Sequence, residues 1–380
     1  MRIAINGYFW GQQTTGSGQY VHQLLSAMKE IAPQNEYLLF SPNRPGTSNT
    51  TDVPLARSLS TPFSGWQPNL DKVWFEQLAF PKASRAAGAQ VAHVPYWGSS
   101  LVPTVPEVVT VHDLIPMLLP AYRGSPLVQA YTRLASASAR RAALIVTDSL
   151  ASRDDIIRLL HIPEERIRVV YLAAHPACRP ITDQNVLGAL RSKYGLPERY
   201  ILYLGGFDQR KNLATLFEAY ARLLATGQAI PALAIAGQLP QVESELFPNP
   251  RRLAQRWGLQ ERVLFTGPIP ESDKPALYSG ALFFAFLSLY EGFGLMPLEA
   301  MACGTPVLAS RRSSLPEVIG EGGVLVDPAD IDEVVRGLRS LLDDTTRQTL
   351  RQSALTQASR FSWQQTALLT LAAYSSVTAR

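Results

Sequence analysis

Short runs of Val, Ile, Leu and Ala alternate along this chain with longer, helix-like stretches. Six strand-like runs fall in the first half: Arg2–Gly7, Tyr37–Ser41, Val91–Pro95, Val108–His112, Leu144–Asp148 and Ile167–Tyr171. Six more follow: Tyr200–Gly205, Ala232–Gly237, Val263–Gly267, Ala281–Ser288, Pro306–Ser310 and Val324–Asp327. The runs are continuous, as parallel strands covered on both faces require. Their alternation with helices predicts βα units and doubly wound sheets. So many strands exceed a usual single sheet, and two α/β domains are more economical.

The stretch Ala173 to Pro197 holds Pro176, Pro180 and Pro197 and only one short helix-like piece. It predicts a boundary that separates a first domain, residues 1–175, from a second, residues 176–361. The segment from Phe361-Ser362-Trp363 onward reads as a helix, about 362–380, that packs back on the first domain. Open α/β sheets bind ligands beyond the carboxyl ends of their strands. Two facing domains would put both sets of strand ends around a central cleft.

Composition narrows the classes. The chain has 380 residues, 46% hydrophobic and 17% charged, which supplies full cores and argues against disorder. Two cysteines, Cys178 and Cys303, exclude a disulfide framework and a four-cysteine zinc site. They fit a reducing cytoplasm. The five histidines, His22, His93, His112, His161 and His175, lack zinc-type spacing, so no metal is expected. The net charge of +4 is spread along the chain, which argues against nucleic acid as a partner. The chain opens directly on a strand, so no signal peptide is expected, and the run Ala281 to Leu287 is too short to cross a bilayer. The expected location is cytoplasmic. Arg133, Arg140 and Arg141 on the helix-like stretch Ala130 to Ala142 suggest peripheral contact at the inner face of the membrane, against the ordinary reading of a solvated face.

The chemistry concentrates between Glu291 and Glu299. The residues Glu291-Gly292-Phe293-Gly294-Leu295-Met296-Pro297-Leu298-Glu299 follow a strand-like run. Pro297 suits the first turn of a helix, and Gly304 suits a left-handed cap at its end. A glycine turn that aims a helix N-terminus is an anion site. The two carboxylates suit hydroxyls better than phosphates, and phosphate plus hydroxyls suggests a nucleotide sugar. Upstream, Gly205-Gly206-Phe207-Asp208-Gln209-Arg210-Lys211-Asn212 runs from strand to helix. Basic residues at a helix start suggest an anion between them, and Arg and Lys both hold phosphate.

In the first half, Gly16-Ser17-Gly18 is half a dinucleotide fingerprint, but Val21 replaces the third glycine and no acidic residue follows the second strand. This disfavours a nicotinamide dehydrogenase and leaves a backbone suited to approach a phosphate or sugar. His112-Asp113 ends a strand, where a histidine could serve the reacting sugar or simply be satisfied by its neighbours. Tyr8, Phe9, Trp10, Tyr96 and Trp97 also fall at strand ends and offer rings to sugar faces, or pack the core around the loops.

Taken together, these elements resemble the retaining glycosyltransferases of the GT-B fold in family 4. The matching stretches occur in order: Gly16-Ser17-Gly18, His112-Asp113-Leu114, Val146-Thr147-Asp148-Ser149, Arg210-Lys211-Asn212-Leu213, Phe265-Thr266-Gly267, the two glutamates, and Gly304-Thr305-Pro306-Val307. Trp74-Phe75-Glu76-Gln77-Leu78 with Pro81 looks like a segment of bacterial mannosyltransferase-like members. Many members carry Gly-Arg where this chain has Gly205-Gly206, and Leu172-Ala173-Ala174 replaces a usual Asn-Gly.

The resemblance implies an acceptor-side first domain and a donor-binding second domain. It implies that Arg210 and Lys211 hold the donor diphosphate, with Gly206 and the backbone of Gly292, Phe293, Gly294 and Leu295 beside them. Glu299 would bind the ribose and Glu291 the transferred sugar. His112 would sit near that sugar, and Gly16, Ser17 and Gly18 would close over the diphosphate. Tyr8, Trp10, Tyr96 and Trp97 are the acceptor candidates. The expected reaction is hexose transfer, mannose from GDP-mannose, to a hydroxyl of a glycan or lipid-linked acceptor, with retention and no cofactor. The competing readings are a UDP-sugar donor, a nucleotide-sugar epimerase of the same fold, and a non-enzymatic sugar-binding protein.

Overall fold

The computed structural model describes residues 1–12, 15–42, 56–63 and 67–378. Residues 379 and 380, the end of the expected last helix, lie outside the described residues. The chain divides into two compact units: Met1–Leu172 with Trp363–Arg380, and Ala173–Ser362. The division thus falls at Leu172 and Ala173 rather than at 175 and 176.

The first unit holds β1 (Arg2–Asn6), β2 (Glu36–Pro42), β3 (Arg57–Leu59), β4 (Val91–Val94), β5 (Glu107–Thr110), β6 (Leu144–Thr147) and β7 (Ile167–Val169). They form one sheet in the order β3-β2-β1-β4-β5-β6-β7. The second unit holds β8 (Tyr200–Leu204), β9 (Ala232–Ala236), β10 (Val263–Gly267), β11 (Phe283–Phe286), β12 (Val307–Ser310) and β13 (Gly323–Val326). Their order is β10-β9-β8-β11-β12-β13. Every pairing in both sheets is parallel. Each order reverses beside the unit's first strand, β1 or β8, which is the doubly wound arrangement with its ligand crevice at the switch point.

All twelve apolar runs contain strands. The additional strand, β3, is a three-residue edge piece with exposed Arg57 and Ser58, so no apolar run announces it. Several strands stop earlier than their runs. β5 ends at Thr110, although Val111 still donates its N–H to the Val146 carbonyl at 2.8 Å. His112 therefore stands in the loop, not on the strand. Likewise β11 ends at Phe286, which releases Leu287 to Glu291 from the sheet.

The last helix, Trp363–Thr378, turns Trp363, Thr366, Ala367, Thr370, Ala373 and Tyr374 inward. This three-and-four spacing makes one apolar stripe. Thr366 Oγ1 donates to the Tyr171 carbonyl at 2.7 Å, and the Tyr374 hydroxyl lies 2.7 Å from His93 Nδ1. The helix lies against the helix Gly16–Ile31 and belongs to the first unit.

Candidate functional site

After β11 the chain runs through Glu291-Gly292-Phe293-Gly294 into the helix Leu295–Ala302. Gly294 has φ 119°, and a Cβ there would stand 3.0 Å from Leu315 Cδ2. Only glycine makes this turn without strain. Gly294 is also the N-cap, so no side chain caps the helix start. Its first N–H groups and the positive end of its dipole remain available to an anion. The other end closes as a Schellman cap. Gly304, at φ 73°, donates to Met301 at 2.9 Å, and Thr305 donates to Ala300 at 2.9 Å.

Two serines on the loop after β12 set the turn. Ser313 Oγ accepts the Glu291 N–H at 2.8 Å. Ser314 Oγ lies 2.9 Å from the Glu291 carbonyl and 2.6 Å from the Phe293 carbonyl. Ser313 holds φ 47°, an unusual conformation for a residue other than glycine. No local pattern marks these serines, because their role depends on a strand that pairs only in the fold.

Arg210 and Lys211 occupy a single 3₁₀ turn, Gln209–Lys211, and Asn212 at φ 55° separates it from the helix Leu213–Leu224. They do not begin that helix, as the sequence suggested. The turn instead aims both side chains at Glu291. Lys211 Nζ lies 2.6 Å and Arg210 Nη1 2.7 Å from Glu291 Oε1. Ser288 Oγ donates to the same oxygen at 2.6 Å. Arg210 Nη1 also donates to the Tyr290 carbonyl at 2.6 Å, and Arg210 Nε stands 3.4 Å from Asp208 Oδ1. Lys211 Nζ is 4.9 Å over the Phe286 ring. Burial alone would raise the Glu291 acid, but Lys211 and Arg210 outweigh it and hold the group below the usual carboxylate range. The sequence treated the glutamate and the two cations as separate contacts, whereas the structure ties them into one knot beside the uncapped helix end.

Glu299 lies in the second turn of that helix and is buried. The Tyr278 hydroxyl donates to Oε2 at 3.1 Å. Burial pushes its acid up to about 6, with Lys274 pulling the other way. Gly206 precedes the 3₁₀ turn, and its carbonyl accepts from the Tyr203 hydroxyl.

In the first unit His112 pairs with Asp148. Nδ1 lies 2.6 Å from Asp148 Oδ2, and Nε2 lies 3.3 Å from the Pro95 carbonyl. Burial disfavours the charged ring, but Asp148 prevails and the pKa is raised. Asp148 is buried, and its Oδ1 has no hydrogen-bond partner among the described residues. Asp148 carries no role in the sequence motif that contains it; its place at the end of its own strand run was the available signal.

Gly16, Ser17 and Gly18 form the first turn of the helix Gly16–Ile31 rather than a loop. Thr15 caps this helix by accepting the Gly18 N–H at 3.1 Å. A Cβ on Gly18 would come within 2.0 Å of the Gln12 carbonyl oxygen, so this glycine is required by packing. Of the aromatic candidates, Tyr8, Trp10 and Tyr96 are buried and Trp97 is partly exposed. Trp10 stacks on His22 at 3.6 Å, while Tyr8 and Tyr96 lie 6.1 Å apart in one cluster.

Two doubly wound parallel sheets of this order, with a glycine turn and buried cations at the strand ends of one, define a GT-B protein. Sucrose-phosphate synthase from Thermosynechococcus elongatus shares that fold, with a TM-score of 0.78 and 24% identity, covering 100% of this chain and 99% of that one. The family model described as Glycosyltransferase Family 4 matches residues 14–176, and the model described as Glycosyl transferases group 1 matches residues 189–358. O-antigen chain mannosyltransferase B of Escherichia coli is 36% identical over 269 residues, 70% of this chain and 69% of that protein. The serotype-specific mannosyltransferase WbdA of Escherichia coli is 34% identical over 264 residues, 68% of this chain. The chain spans about a third of WbdA, 32% of its length. The chain belongs to family 4 of the GT-B glycosyltransferases, and it is a glycosyltransferase.

Proposed function

We propose that the protein transfers mannose from GDP-mannose to a hydroxyl of a glycan or lipid-linked acceptor, with retention at the anomeric carbon. The observation that carries this reading is the Arg210–Lys211–Glu291 knot beside the uncapped N-terminus of Leu295–Ala302. A donor diphosphate would draw on both cations and on the backbone N–H groups of Gly292 to Leu295. Charge that develops on the departing nucleoside diphosphate is then met by donors already in place. Glu291 would take hydroxyls of the transferred sugar, and Glu299 the ribose. His112, fixed by Asp148, is the sugar-contacting candidate of the first unit. For retention, a donor phosphate oxygen takes the acceptor proton on the face that the leaving group vacates, and no protein base is assigned. The choice of mannose rests on the likeness to the two E. coli mannosyltransferases.

This reading requires no metal or organic cofactor, and unchanged turnover in EDTA is the expected result. A thermal-shift panel of GDP-, UDP-, ADP- and dTDP-sugars tests the donor, because a ligand raises the melting temperature according to its affinity. GDP-mannose should give the largest shift, and a UDP-sugar giving a larger one would refute the mannose assignment. Proton NMR of the first product tests retention: the transferred residue should be the α-anomer, like the donor.

A further inference from the structure

The donor chemistry leaves a second buried charge cluster unused. It grows from the Trp74–Leu78 segment of the first unit. Glu76 is buried inside a π-helical turn, Phe75–Ala79, between the helices Pro68–Trp74 and Phe80–Ala86. Such turns within helical runs concentrate at functional sites. The Tyr131 hydroxyl, from the helix Pro126–Ala139, lies 3.0 Å from each Glu76 carboxylate oxygen. Lys72, one turn earlier, places Nζ 3.7 Å from Glu76 Oε1.

Four rings surround that ammonium. Its nitrogen is 4.4 Å from the Tyr131 centroid, 5.4 Å from Tyr96, 5.5 Å from Tyr8 and 5.6 Å from Phe9. Tyr8 and Phe9 follow β1, and Tyr96 follows β4, so the cluster sits at the carboxyl ends of the strands. The loop after β4 is pressed onto it. A Cβ on Gly98 would stand 2.6 Å from Glu76 Oε1, and Gln77 Nε2 donates to the Ser99 carbonyl at 2.7 Å. The same loop supplies the Pro95 carbonyl that meets His112 Nε2 at 3.3 Å. One loop therefore touches both the His112–Asp148 pair and this cluster.

Stability alone is a poor reason for the arrangement, since a buried ion pair is commonly replaced by apolar residues at no loss. Its composition suits a pyranose. Rings pack against sugar C–H faces, and an ammonium donates to sugar oxygens. The Lys72 side chain keeps 23% exposure while Glu76 keeps 1%, so Lys72 is the member of the pair open to solvent.

We propose that Lys72, held by Glu76 and walled by Tyr8, Phe9, Tyr96 and Tyr131, is the hydroxyl-binding contact of the acceptor-sugar subsite. Lys72 donates to acceptor oxygens, and the partly exposed rings of Phe9 and Tyr131 hold the sugar face, with the buried Tyr8 and Tyr96 behind them. Glu76 and Tyr131 are positioning residues that keep the ammonium in place. The proposal rests on the transfer reading above, and its test separates the two.

The experiment uses GDP-mannose as donor and octyl α-mannoside as acceptor, with wild type, Lys72→Met and Tyr131→Phe. Lys72→Met should raise the acceptor KM about tenfold or more, the loss expected for one charge-assisted hydrogen bond, and leave the donor KM within about twofold. Tyr131→Phe should move the acceptor KM in the same direction by less. Unchanged acceptor KM in both variants overturns the proposal. So does a joint rise of donor and acceptor KM with a lower Tm, which marks a structural role. A wild-type protein that GDP-mannose stabilises but that does not glycosylate octyl α-mannoside also overturns it. Failure of GDP-mannose to stabilise the wild type strikes the donor reading instead.

Discussion

Lys211 Nζ and Glu291 Oε1 lie 2.6 Å apart in the interior of the second unit, although 80 residues separate them in sequence. Arg210 Nη1 reaches the same oxygen at 2.7 Å, so one carboxylate carries two cations. The geometry makes Glu291 the shared partner of both cations. If the two cations hold a diphosphate as proposed, that diphosphate competes with Glu291 for them.

This asymmetry predicts an order of stability loss. Glu291→Ala leaves two cations without their shared partner, and should cost about 3–5 kcal/mol, the range for an uncompensated buried charge. Lys211→Ala leaves Glu291 paired with Arg210 and should cost less. Urea unfolding of both variants checks the order, and a larger loss for Lys211→Ala would contradict it. In kinetics Lys211→Ala should weaken donor binding and turnover, while Glu291→Ala should lower kcat.

The same knot has a pH signature. The folded Glu291 acid is held below its ordinary range by Lys211 and Arg210, against the effect of burial. A carboxyl group lowered on folding contributes stability above its unfolded pKa and loses it as pH falls through the folded value. The acid limb of the melting temperature should therefore be shallower in Glu291→Gln than in wild type. Parallel acid limbs would show that Glu291 carries no such linkage.

Much of this site was written in local sequence, and part of it was not. The strand runs, the glycine turn and the Gly304 cap follow from patterns a few residues long, so Gly294 and Gly304 hold the positions their sequence implies. Arg210 and Lys211 are a different case. The left-handed Asn212 detaches them from the following helix, and a propensity reading has no view of that break. The pairing of Lys211 with Glu291, and of His112 with Asp148, joins separate strand ends, so it exists only once the sheets have formed. Gly16 to Gly18 carry only half a fingerprint, and they form a capped helix start in which the Gln12 carbonyl demands Gly18.

His112 should titrate above an ordinary histidine because Asp148 favours its charged form, against burial. A histidine raised on folding contributes stability that is complete below its unfolded pKa and fades as pH rises through the folded one. Asp148→Asn removes the counter-charge and leaves the burial effect unopposed. The imidazole resonance of His112 should then titrate at lower pH than in wild type, and activity should fall. An unchanged midpoint in Asp148→Asn would remove Asp148 from the account.

Glu299 offers a trade between stability and function. Burial raises its acid from 4.5 to about 6, so its charge is unfavourable in the folded protein at neutral pH. A carboxyl group raised on folding stabilises fully below its unfolded pKa, and that advantage disappears as pH rises past the folded value. Glu299→Gln keeps the shape and removes the charge, so at pH 7 it should stabilise the protein by up to about 2 kcal/mol. If Glu299 accepts ribose hydroxyls, the amide is a poorer acceptor than the carboxylate, and the donor KM should rise while kcat changes little. Melting curves and donor titrations on one preparation measure both effects. A more stable variant with an unchanged donor KM would leave Glu299 a buried structural acid and move the ribose contact elsewhere.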